Sequence, residues 1–494
     1  MSHPNPAGSM MTLQDAALAT HGETILGDQG FAGISTDTRC ITAGELFVAL
    51  RGERFDGHDY VEQALAQGAA AAMVDSGWAQ RQARSLPLLA VADTRCALGD
   101  LAASWRGKFS LPLIGITGSN GKTTIKEMCA AIWRAELAAQ DRGENSTTAP
   151  SIDVVAGVLA TEGNLNNDIG VPLTLLRLRS THRAAVIEMG MNHPGEIAYL
   201  TGLARPSVAL VNNAQRAHME GLGGLIEVVA RAKGEIFAGL VQDGVAVINA
   251  DDAHASLWRE MAIAAGARCS LSFGLIQPAD VSARLTPRAF GCLLELATPQ
   301  GMAAVELSVP GRHNALNALA ATAATLASGV RISAVVAGLS AYRGIKGRLQ
   351  RRPALNGALL IDDTYNANPD SMRAAIEVLA ALPGKKIFVL GDMGEVGERS
   401  GQYHDEIGGY AKSMGVDRLL ALGEHATTAV HNFGSGAKHF SNADALVATL
   451  RPLLDADTTV LVKGSRFMKM ERVADSIHAP GAPTDTEGIS YKSK

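Results

Sequence analysis

Residues 115–123 read Gly-Ile-Thr-Gly-Ser-Asn-Gly-Lys-Thr, and they lie between an apolar run at 111–116 and a helical pattern over 122–138. A buried strand, a glycine-rich turn and a helix N-terminus together form an anion site, because backbone N–H groups and the helix dipole favour negative charge at one point. Lys122 adds a full positive charge, and the Thr123 hydroxyl is suited to hold Mg²⁺. This stretch therefore predicts a phosphate-binding unit of an α/β fold.

The loop departs from the strict phosphate-loop pattern G-x-x-x-x-G-K-[ST], because Ile116 stands where that pattern has its first glycine. The alternative is a tight strand-to-helix turn that carries an exposed lysine. Gly118, Gly121 and the flanking strand and helix favour nucleotide binding over that alternative. We therefore expect ATP or GTP to bind here.

The composition of the 494 residues is that of an ordinary globular protein, with 47% hydrophobic and 19% charged residues. A chain of this length predicts about three domains, each large enough to bury its own core. The formal net charge is −5 and there is no basic block, so nothing in the sequence favours nucleic acid or an anionic membrane as a partner. We expect no membrane insertion, because no apolar run approaches the ~20 residues of a membrane span.

The five cysteines are odd in number and show no C-x-x-C spacing. They are expected to be reduced thiols, since neither a disulfide framework nor a zinc site fits this pattern. The N-terminus also lacks the charged-then-apolar pattern of a secretion signal. Both observations predict a cytoplasmic protein.

Alternating strand and helix patterns predict an α/β protein of three domains. Residues 1–108 are expected to form a small N-terminal α/β domain. Residues 109–343 form a central P-loop-type domain with a mostly parallel sheet, and residues 344–494 form a second, Rossmann-like α/β domain. Further local predictions are a β-rich segment over 268–309, a strand over 34–39 and a helix over 152–160.

Two candidate metal ligands follow predicted strands of the central domain. Glu188 lies in the apolar strand 184–189, at the carboxyl edge where parallel sheets bind ligands. Beside a nucleotide loop we interpret it as a Mg²⁺ ligand that shares the ion with Thr123, the alternative being a cap on the next helix. His218 follows strand 207–212 at the same edge and is a candidate ligand for a second metal, the alternative being an ordinary surface hydrogen bond.

Lys233 falls within a helical run, where the simple interpretation is a solvated lysine paired with Glu235 or a neighbour. The other interpretation is a partly buried lysine whose ammonium is destabilised, so that the neutral amine can add CO₂. Such a carbamate would turn a cation into a metal-binding anion. The residues alone leave both interpretations open.

Several polar residues of the second half of the chain are candidates for ligand binding. Asn314 and Asn317 are three apart and share a helix face, where they could contact an adenine edge or cap the helix. Asp363 is one of two acids at a predicted strand end, and Asn368 begins the next helix. The last strand is followed by Ser465 and Arg466 in a stretch with two cations, which suits an anionic substrate.

Longer motifs are similar to those of the Mur ligase family, ATP-dependent enzymes that form amide bonds in bacterial peptidoglycan synthesis. The likeness covers roughly residues 30–475, and the family's own nucleotide loop has the form seen at 117–123, which accounts for the missing glycine. The stretch 141–157 departs from the family because it looks longer than the family's connection there. The diagnostic strings are Ser-Thr-Asp-Thr-Arg at 35–39, Gly-Asn-Leu-Asn-Asn-Asp-Ile-Gly at 163–170, Asp-Thr-Tyr-Asn-Ala-Asn-Pro at 363–369 and Gly-Asp-Met-Gly-Glu at 391–395.

The resemblance implies a role for each candidate residue. Thr123 and Glu188 would hold one Mg²⁺ and His218 would lie near a second, while Lys233 matches a lysine that is carbamylated in several members and would then be a further ligand. The implied catalytic residues are Lys122, Lys233, His218 and Glu188. The implied ATP-binding residues are Thr117, Gly118, Ser119, Asn120, Gly121, Lys122, Thr123, Asn314, Asn317, Arg348 and Asp363. The implied substrate-binding residues are Ser35, Asp37 and Arg39 for a UDP group, Asn164, Asn167 and Asp168 for a peptide, and Asn368, Ser465 and Arg466 for the incoming amine.

The resemblance also implies a reaction. The motifs are most similar to those of the family member that joins D-alanyl-D-alanine to UDP-N-acetylmuramoyl-tripeptide, through an acyl phosphate made with ATP and Mg²⁺. We expect a cytoplasmic monomer whose C-terminal domain binds the dipeptide and closes over ATP. The alternatives are another Mur ligase, an amide ligase like folylpolyglutamate synthase, or a non-catalytic nucleotide-binding scaffold of the same fold.

Overall fold

A computed structural model describes residues 9–82, 85–142, 156–217 and 220–479 of the chain. Strands and helices alternate along these residues and build three large sheets, each formed by a separate, consecutive part of the sequence. The N-terminal, middle and C-terminal units are named here after those sheets. Within the described residues, no helix combines the length and the apolar character that crossing a bilayer requires.

The N-terminal unit has a sheet in the order β2-β7-β6-β5-β4, parallel except for β2 at its edge, and a separate β1–β3 pair. Its strands are Met11–Thr12 (β1), Glu23–Ile25 (β2), Gly30–Phe31 (β3), Gly33–Ser35 (β4), Glu45–Val48 (β5), Ala71–Asp75 (β6) and Leu88–Val91 (β7). Its helices are Leu13–Thr20 (α1), Val61–Ala66 (α2), Ser76–Ala79 (α3) and Thr94–Arg106 (α4).

The middle unit has a sheet in the order β16-β15-β14-β13-β12-β11-β8-β10-β9, parallel from β9 to β14 and antiparallel beyond. The β-rich segment predicted over 268–309 is confirmed, because β13 to β16 continue this sheet to its far edge. Its strands are Leu113–Thr117 (β8), Val158–Ala160 (β9), Ala184–Glu188 (β10), Val208–Val211 (β11), Val245–Asn249 (β12), Cys269–Gly274 (β13), Val281–Pro287 (β14), Cys292–Thr298 (β15) and Gly301–Leu307 (β16). Its helices are Lys122–Arg142 (α5), Gly170–Leu175 (α6), Glu196–Ala204 (α7), Ile226–Gly234 (α8), Ala255–Ala264 (α9), Arg312–Ala327 (α10) and Ile332–Ala341 (α11).

The C-terminal unit has a sheet in the order β17-β18-β22-β19-β20-β21, parallel except for β17. Its strands are Gln350–Pro353 (β17), Leu359–Asp363 (β18), Lys385–Gly391 (β19), Arg418–Leu422 (β20), Ala437–Phe440 (β21) and Thr458–Lys463 (β22). Its helices are Pro369–Ala380 (α12), Ser400–Ser413 (α13), Ala426–Phe433 (α14), Ala443–Leu450 (α15) and Glu471–Ile477 (α16).

The register of the central strands brings the candidate residues together. β8 pairs with β10 on one side, where Ile116 lies opposite Glu188, and with β11 on the other, where Thr117 lies opposite Val211. All three strands run parallel, so their carboxyl ends meet at one edge, where the order of the sheet reverses around β8. Ligands of open α/β sheets bind at such a reversal.

The hydrophobic clusters show that the middle unit shares a core with one of its two neighbouring units. Alternate residues of the central strands face opposite sides of the middle sheet, so that Leu113 packs into one cluster and Ile114 into another. The cluster around Leu113 also contains Leu13 and Phe31 of the N-terminal unit. The clusters of the C-terminal unit lie wholly within residues 349–477. The N-terminal unit therefore shares a hydrophobic core with the middle unit, whereas the C-terminal unit keeps its own.

Two local predictions are corrected. The helix predicted over 152–160 is wrong at its described end, because Val158–Ala160 forms strand β9 and pairs with β10; residues 152–155 lie outside the described residues. A short apolar run is compatible with either element, and here the open edge of a parallel sheet decides. The strand predicted over 34–39 ends at Ser35, because Asp37 folds back onto the Ser35 hydroxyl.

Candidate active site

Glycine allows two amides to approach the phosphate loop. Gly121 has a φ of +85°, a backbone conformation that L side chains rarely adopt. A Cβ there would lie 2.3 Å from Oδ1 of Asn317 and 2.6 Å from Nδ2 of Asn212. These two amides are joined by a hydrogen bond of 3.2 Å from Asn212 Nδ2 to Asn317 Oδ1. A side chain at position 121 would therefore displace the amides of Asn212 and Asn317.

Lys122 begins α5, and its ammonium group folds back over the loop. Nζ donates hydrogen bonds to the carbonyl oxygens of Gly118 at 2.7 Å and of Ser119 at 3.4 Å. Burial lowers the pKa of Lys122, and the charge of Glu188 opposes that shift. The cation lies at the N-terminus of a long helix, where an anion would meet both its charge and the helix dipole.

Glu188 and Thr123 line one cavity of about 310 Å³ at the carboxyl edge of the middle sheet. Glu188 is only 3% exposed. Its Oε1 accepts a hydrogen bond of 2.8 Å from Nδ2 of Asn166, whereas no described residue donates one to Oε2. A buried carboxylate oxygen without a partner costs free energy, which a divalent cation would offset. The site therefore fits a Mg²⁺ ion, which takes oxygen ligands and commonly keeps phosphates and waters as well.

Lys233 is buried in α8, at 1% exposure. Burial lowers the pKa of Lys233 well below its usual value, and the charge of Lys122 lowers it further. The interpretation of Lys233 as a solvated lysine paired with Glu235 is wrong. The Glu235 carboxylate instead accepts hydrogen bonds from the backbone N–H groups of Gly195 at 2.9 Å and Ala198 at 3.2 Å. His218, the other candidate ligand, lies outside the described residues.

Asn314 and Asn317 lie on one face of α10 and both line the cavity. Asn314 donates from Nδ2 to the carbonyl oxygen of Pro310 at 2.7 Å, and it accepts a hydrogen bond of 3.3 Å from Nδ2 of Asn317. Asn317 in turn accepts from Asn212, whose Nδ2 also donates to the carbonyl oxygen of Asn120 in the loop, so a chain of amides reaches the loop through Asn212. Their predicted contact with adenine stays a prediction.

Arg348 and Asp363 bring the C-terminal side of the chain to the same cavity. Nη2 of Arg348 donates to the Thr123 hydroxyl at 3.1 Å, and its guanidinium lies 4.3 Å from the centre of the Tyr365 ring. Asp363 ends β18, where its carboxylate forms an ion pair of 2.6 Å with Lys463. A second and a third cation therefore stand beside Lys122 at this cavity.

Asn368 contacts the phosphate loop directly. It caps α12 with its own side chain, and its Nδ2 donates to Oδ1 of Asn120 at 2.8 Å. Asn120 returns a hydrogen bond of 3.3 Å to Oδ1 of Asn368. This reciprocal pair of amides places Asn368 beside the glycine-rich loop 117–123, and its predicted role toward the incoming amine stays a prediction.

Ser465 and Arg466 are not among the described residues that line this cavity. Ser465 is buried, where its hydroxyl donates to the carbonyl oxygen of Ala367 at 3.1 Å and accepts the N–H of Gly394 at 2.7 Å. Arg466 is exposed and pairs with Glu471 at 2.9 Å. Ser465 therefore fixes two loops, while Arg466 stays available to a ligand.

The candidates for the UDP group form a turn after β4. The Ser35 hydroxyl accepts a hydrogen bond of 3.2 Å from the backbone N–H of Asp37. The Arg39 guanidinium forms an ion pair with the Asp37 carboxylate, with Nη2 and Oδ2 2.6 Å apart. Hydrogen bonds from Arg39 hold the pKa of Asp37 below its usual value. The Arg39 side chain is 87% exposed, so its remaining donors face solvent and any ligand there.

The candidates for the peptide lie between β9 and α6. Oδ1 of Asn167 accepts the N–H of Gly170 at 2.8 Å, and Asn164 is exposed. Asp168 pairs with Arg95 of α4, with Nη2 and Oδ1 2.8 Å apart. This loop therefore connects the N-terminal and middle units beside the cavity.

Among the cavity residues that the sequence did not identify as candidates are Asn166, which orients Glu188, and Asn212, which contacts the loop carbonyl of Asn120 at 2.9 Å. Lys463, one of the two cations noted after the last strand, does line the cavity and pairs with Asp363. Asn212 follows the carboxyl end of a parallel strand, so the edge rule that identified Glu188 could have found it. Only the folded loop reveals the contact of Asn166.

Models of one protein family match most of the chain. The Mur ligase family catalytic domain matches residues 30–106, the Mur ligase middle domain matches residues 116–325, and the Mur ligase glutamate ligase domain matches residues 347–466. The chain is 41% identical to the UDP-N-acetylmuramoyl-tripeptide–D-alanyl-D-alanine ligase of Escherichia coli K12, over 95% of this chain and 99% of that protein.

Solved structures show the same likeness. A crystal structure of MurF from Acinetobacter baumannii superposes with a TM-score of 0.84 at 37% identity and covers 94% of this chain and 98% of its own. The MurF ligase of Thermotoga maritima in complex with ADP superposes with a TM-score of 0.76 at 27% identity, over 90% of this chain and 96% of its own.

Proposed function

Because the chain belongs to the Mur ligase family, we propose that its cavity is where D-alanyl-D-alanine is joined to UDP-N-acetylmuramoyl-tripeptide. The protein is an ATP-dependent ligase of peptidoglycan synthesis that forms an amide bond and releases ADP and phosphate. The observation that carries the assignment of the site is the single cavity that holds Lys122, Thr123 and Glu188 of the middle unit together with Arg348 and Asp363.

The chemistry begins with a carboxylate that is a poor acyl donor. An oxygen of the tripeptide carboxylate attacks the γ-phosphorus of ATP, ADP leaves, and an acyl phosphate forms. Lys122 and Arg348, which both line the cavity, would neutralise the oxygens of the phosphoryl group during this transfer. The neutral amine of D-alanyl-D-alanine then adds to the acyl carbon, loses a proton, and displaces phosphate.

Thr123 and Glu188 would hold Mg²⁺, and the unpartnered Oε2 of Glu188 supports this assignment. The ion, when bound, would supply positive charge to the phosphate oxygens. Asn166 keeps Glu188 turned toward the cavity through its hydrogen bond of 2.8 Å to Oε1. His218 would serve near a second ion, as the sequence predicts.

Lys233 would be carbamylated. Its side chain is buried and its pKa is lowered well below the usual value, so the neutral amine that reacts with CO₂ is populated far more than in a solvated lysine. The carbamate carries a negative charge that offsets the nearby cation Lys122. It would serve as a further metal ligand.

Replacing Lys233 by methionine is expected to stabilise the protein in CO₂-free buffer while ligation is lost. The methionine side chain is similar in length to that of lysine but carries no charge. Because the buried cation is removed, we expect a gain of about 1 kcal/mol in the free energy of unfolding. In the folded protein the pKa of Lys233 lies below its ordinary value of 10.5. Burying Lys233 therefore costs no stability above pH 10.5, and the cost to the free energy of unfolding grows as the pH falls toward the folded pKa. Thermal unfolding of both proteins at pH 7 and pH 10 measures the difference. A lower melting temperature for the variant at pH 7 would contradict this account.

The remaining roles follow the three units. Residues 1–108 would bind the UDP group through Ser35, Asp37 and Arg39, residues 109–343 would bind ATP, and residues 344–494 would bind the dipeptide and close over ATP. Asn164, Asn167 and Asp168 would line the peptide channel. We propose that the protein acts as a monomer in the cytoplasm.

A phosphate-release assay tests the function. Purified protein, ATP and Mg²⁺ are combined with UDP-N-acetylmuramoyl-tripeptide and, in separate reactions, with D-alanyl-D-alanine, single amino acids or glutamate. We expect phosphate release and a new amide product with D-alanyl-D-alanine. Product with another amine would favour another amide ligase, and the absence of turnover with every amine would favour a nucleotide-binding scaffold.

A further inference from the structure

Arg216 connects the middle unit to two helices of the C-terminal unit. It lies in the loop after β11 and is 20% exposed at its side chain. Its Nη2 lies 2.7 Å from Oδ1 of Asp370, in the first turn of α12, and its Nη1 lies 2.8 Å from Oε2 of Glu406, on α13. The backbone N–H of Arg216 also donates to Oδ2 of Asp370 at 2.8 Å. We call the side chains of Arg216, Asp370 and Glu406 the clasp.

The clasp has the geometry of a directed ionic contact. A guanidinium is planar and offers N–H pairs on separate edges, so one arginine can bind two carboxylates at once. The Arg216 guanidinium also lies 5.3 Å from the centre of the Tyr403 ring. Glu406 also pairs with Arg373 at 3.0 Å, a contact within the C-terminal unit.

The clasp lies beside the reacting groups. Asp370 lines the cavity and follows the N-cap Asn368 by two residues, so the N-terminus of α12 touches the middle unit at two points, Asn120 and Arg216. The apolar clusters of the C-terminal unit are its own. Polar contacts of this kind therefore contribute to where Arg348 and Asp363 stand relative to the phosphate loop.

We propose that Arg216 is a positioning residue, which holds the C-terminal unit over the acyl phosphate and so favours amide formation over hydrolysis. The inference rests on the proposed function of the cavity. In the competing reaction, water adds to the acyl carbon, the bond from that carbon to the phosphate oxygen breaks, and carboxylate and phosphate are released. An open cavity admits water to this carbon, whereas a closed one leaves the dipeptide amine as its nucleophile.

The test compares Arg216→Gln with Arg373→Gln. Both variants lose a guanidinium that pairs with Glu406, but the described contacts of Arg373, with Glu406 and the Tyr410 ring, lie within its own unit, so it is the matched control. Phosphate and amide product are measured in the same reaction. For Arg216→Gln we expect about a fivefold rise in phosphate released per amide formed and a similar rise in the KM for D-alanyl-D-alanine. The KM for ATP should change little, and Arg373→Gln should behave as the wild type.

Two further variants separate the clasp from its surroundings. Arg216→Lys keeps the charge but not the forked geometry, so we expect it to restore only part of the coupling. The double variant Asp370→Asn/Glu406→Gln should reproduce the effect of Arg216→Gln, and adding Arg216→Gln to it should cause little further change. A fully additive loss would overturn the proposal, because Arg216 would then act through its own loop.

The outcomes distinguish this inference from the function it rests on. If the wild type forms no amide with D-alanyl-D-alanine, the proposed function fails. If the wild type forms amide and Arg216→Gln couples phosphate release to amide formation equally well, only the role of the clasp is overturned.

Discussion

Lys122→Ala is expected to abolish ATP-dependent phosphate release, with a loss of at least about 10³-fold in kcat, because the variant lacks the cation at the helix N-terminus where the transferred phosphoryl group carries its charge. Binding of the UDP substrate should stay within about twofold of the wild type, since small changes far from a contact alter binding little. Phosphate release and calorimetric titration with the UDP substrate measure the two effects.

Lys412→Ala is the matched control for that experiment. Lys412 also lies on a helix and donates to a backbone carbonyl, that of Ser435 at 2.9 Å, but it is in α13 and is exposed. It should retain wild-type turnover. Near-normal turnover in Lys122→Ala would exclude the mechanism proposed for this cavity.

Glu188→Gln is expected to lower kcat by about 10²-fold and to raise the Mg²⁺ concentration needed for half-maximal rate, because several kcal/mol of charge stabilisation depend on the ion. Glutamine keeps the shape of the side chain and can still accept the hydrogen bond from Asn166, so the change is one of charge. Rates measured across a Mg²⁺ series give both effects.

A measurement without turnover complements the rate. The wild type keeps a buried carboxylate oxygen without a described partner, so the variant should be at least as stable as the wild type in the absence of nucleotide. Addition of Mg²⁺ and an ATP analogue should then raise the melting temperature of the wild type more than that of the variant. Glu196→Gln is the control, because Glu196 accepts the N–H of Asn192 at 2.7 Å away from the cavity. An unchanged Mg²⁺ requirement in Glu188→Gln would exclude Glu188 as a ligand.

The strand–loop–helix order around residues 113–142 and the α/β class were predictable because they depend on local order. An apolar strand, two glycines and a helix N-terminus are consecutive in the chain, and their chemistry does not depend on distant residues. The same holds for Glu188, since a strand end is visible in the sequence and its edge of the sheet follows from parallel pairing. The β-rich segment over 268–309 was likewise predictable from its sequence.

The structure was needed to exclude the interpretation of Lys233 as a solvated helix lysine. Its sequence context suits a solvated helix lysine equally well, and only the packing of α8 buries the amine and sends Glu235 to the N-terminus of α7. The helix predicted over 152–160 failed for a related reason. Three apolar residues have no intrinsic preference strong enough to resist the open edge of a parallel sheet.

The sequence by itself determined the class of fold, the glycine-rich loop between β8 and α5 and the position of Glu188 at the same edge of the sheet, because each is encoded by neighbouring residues and by strand ends. The tertiary structure alone decided which distant side chains meet there. Asn368 reaches Asn120, Arg348 reaches Thr123, and Arg216 reaches two helices of another unit. These contacts join residues separated by more than 150 positions, and their formation depends on how whole sheets pack, which no local pattern of residues specifies.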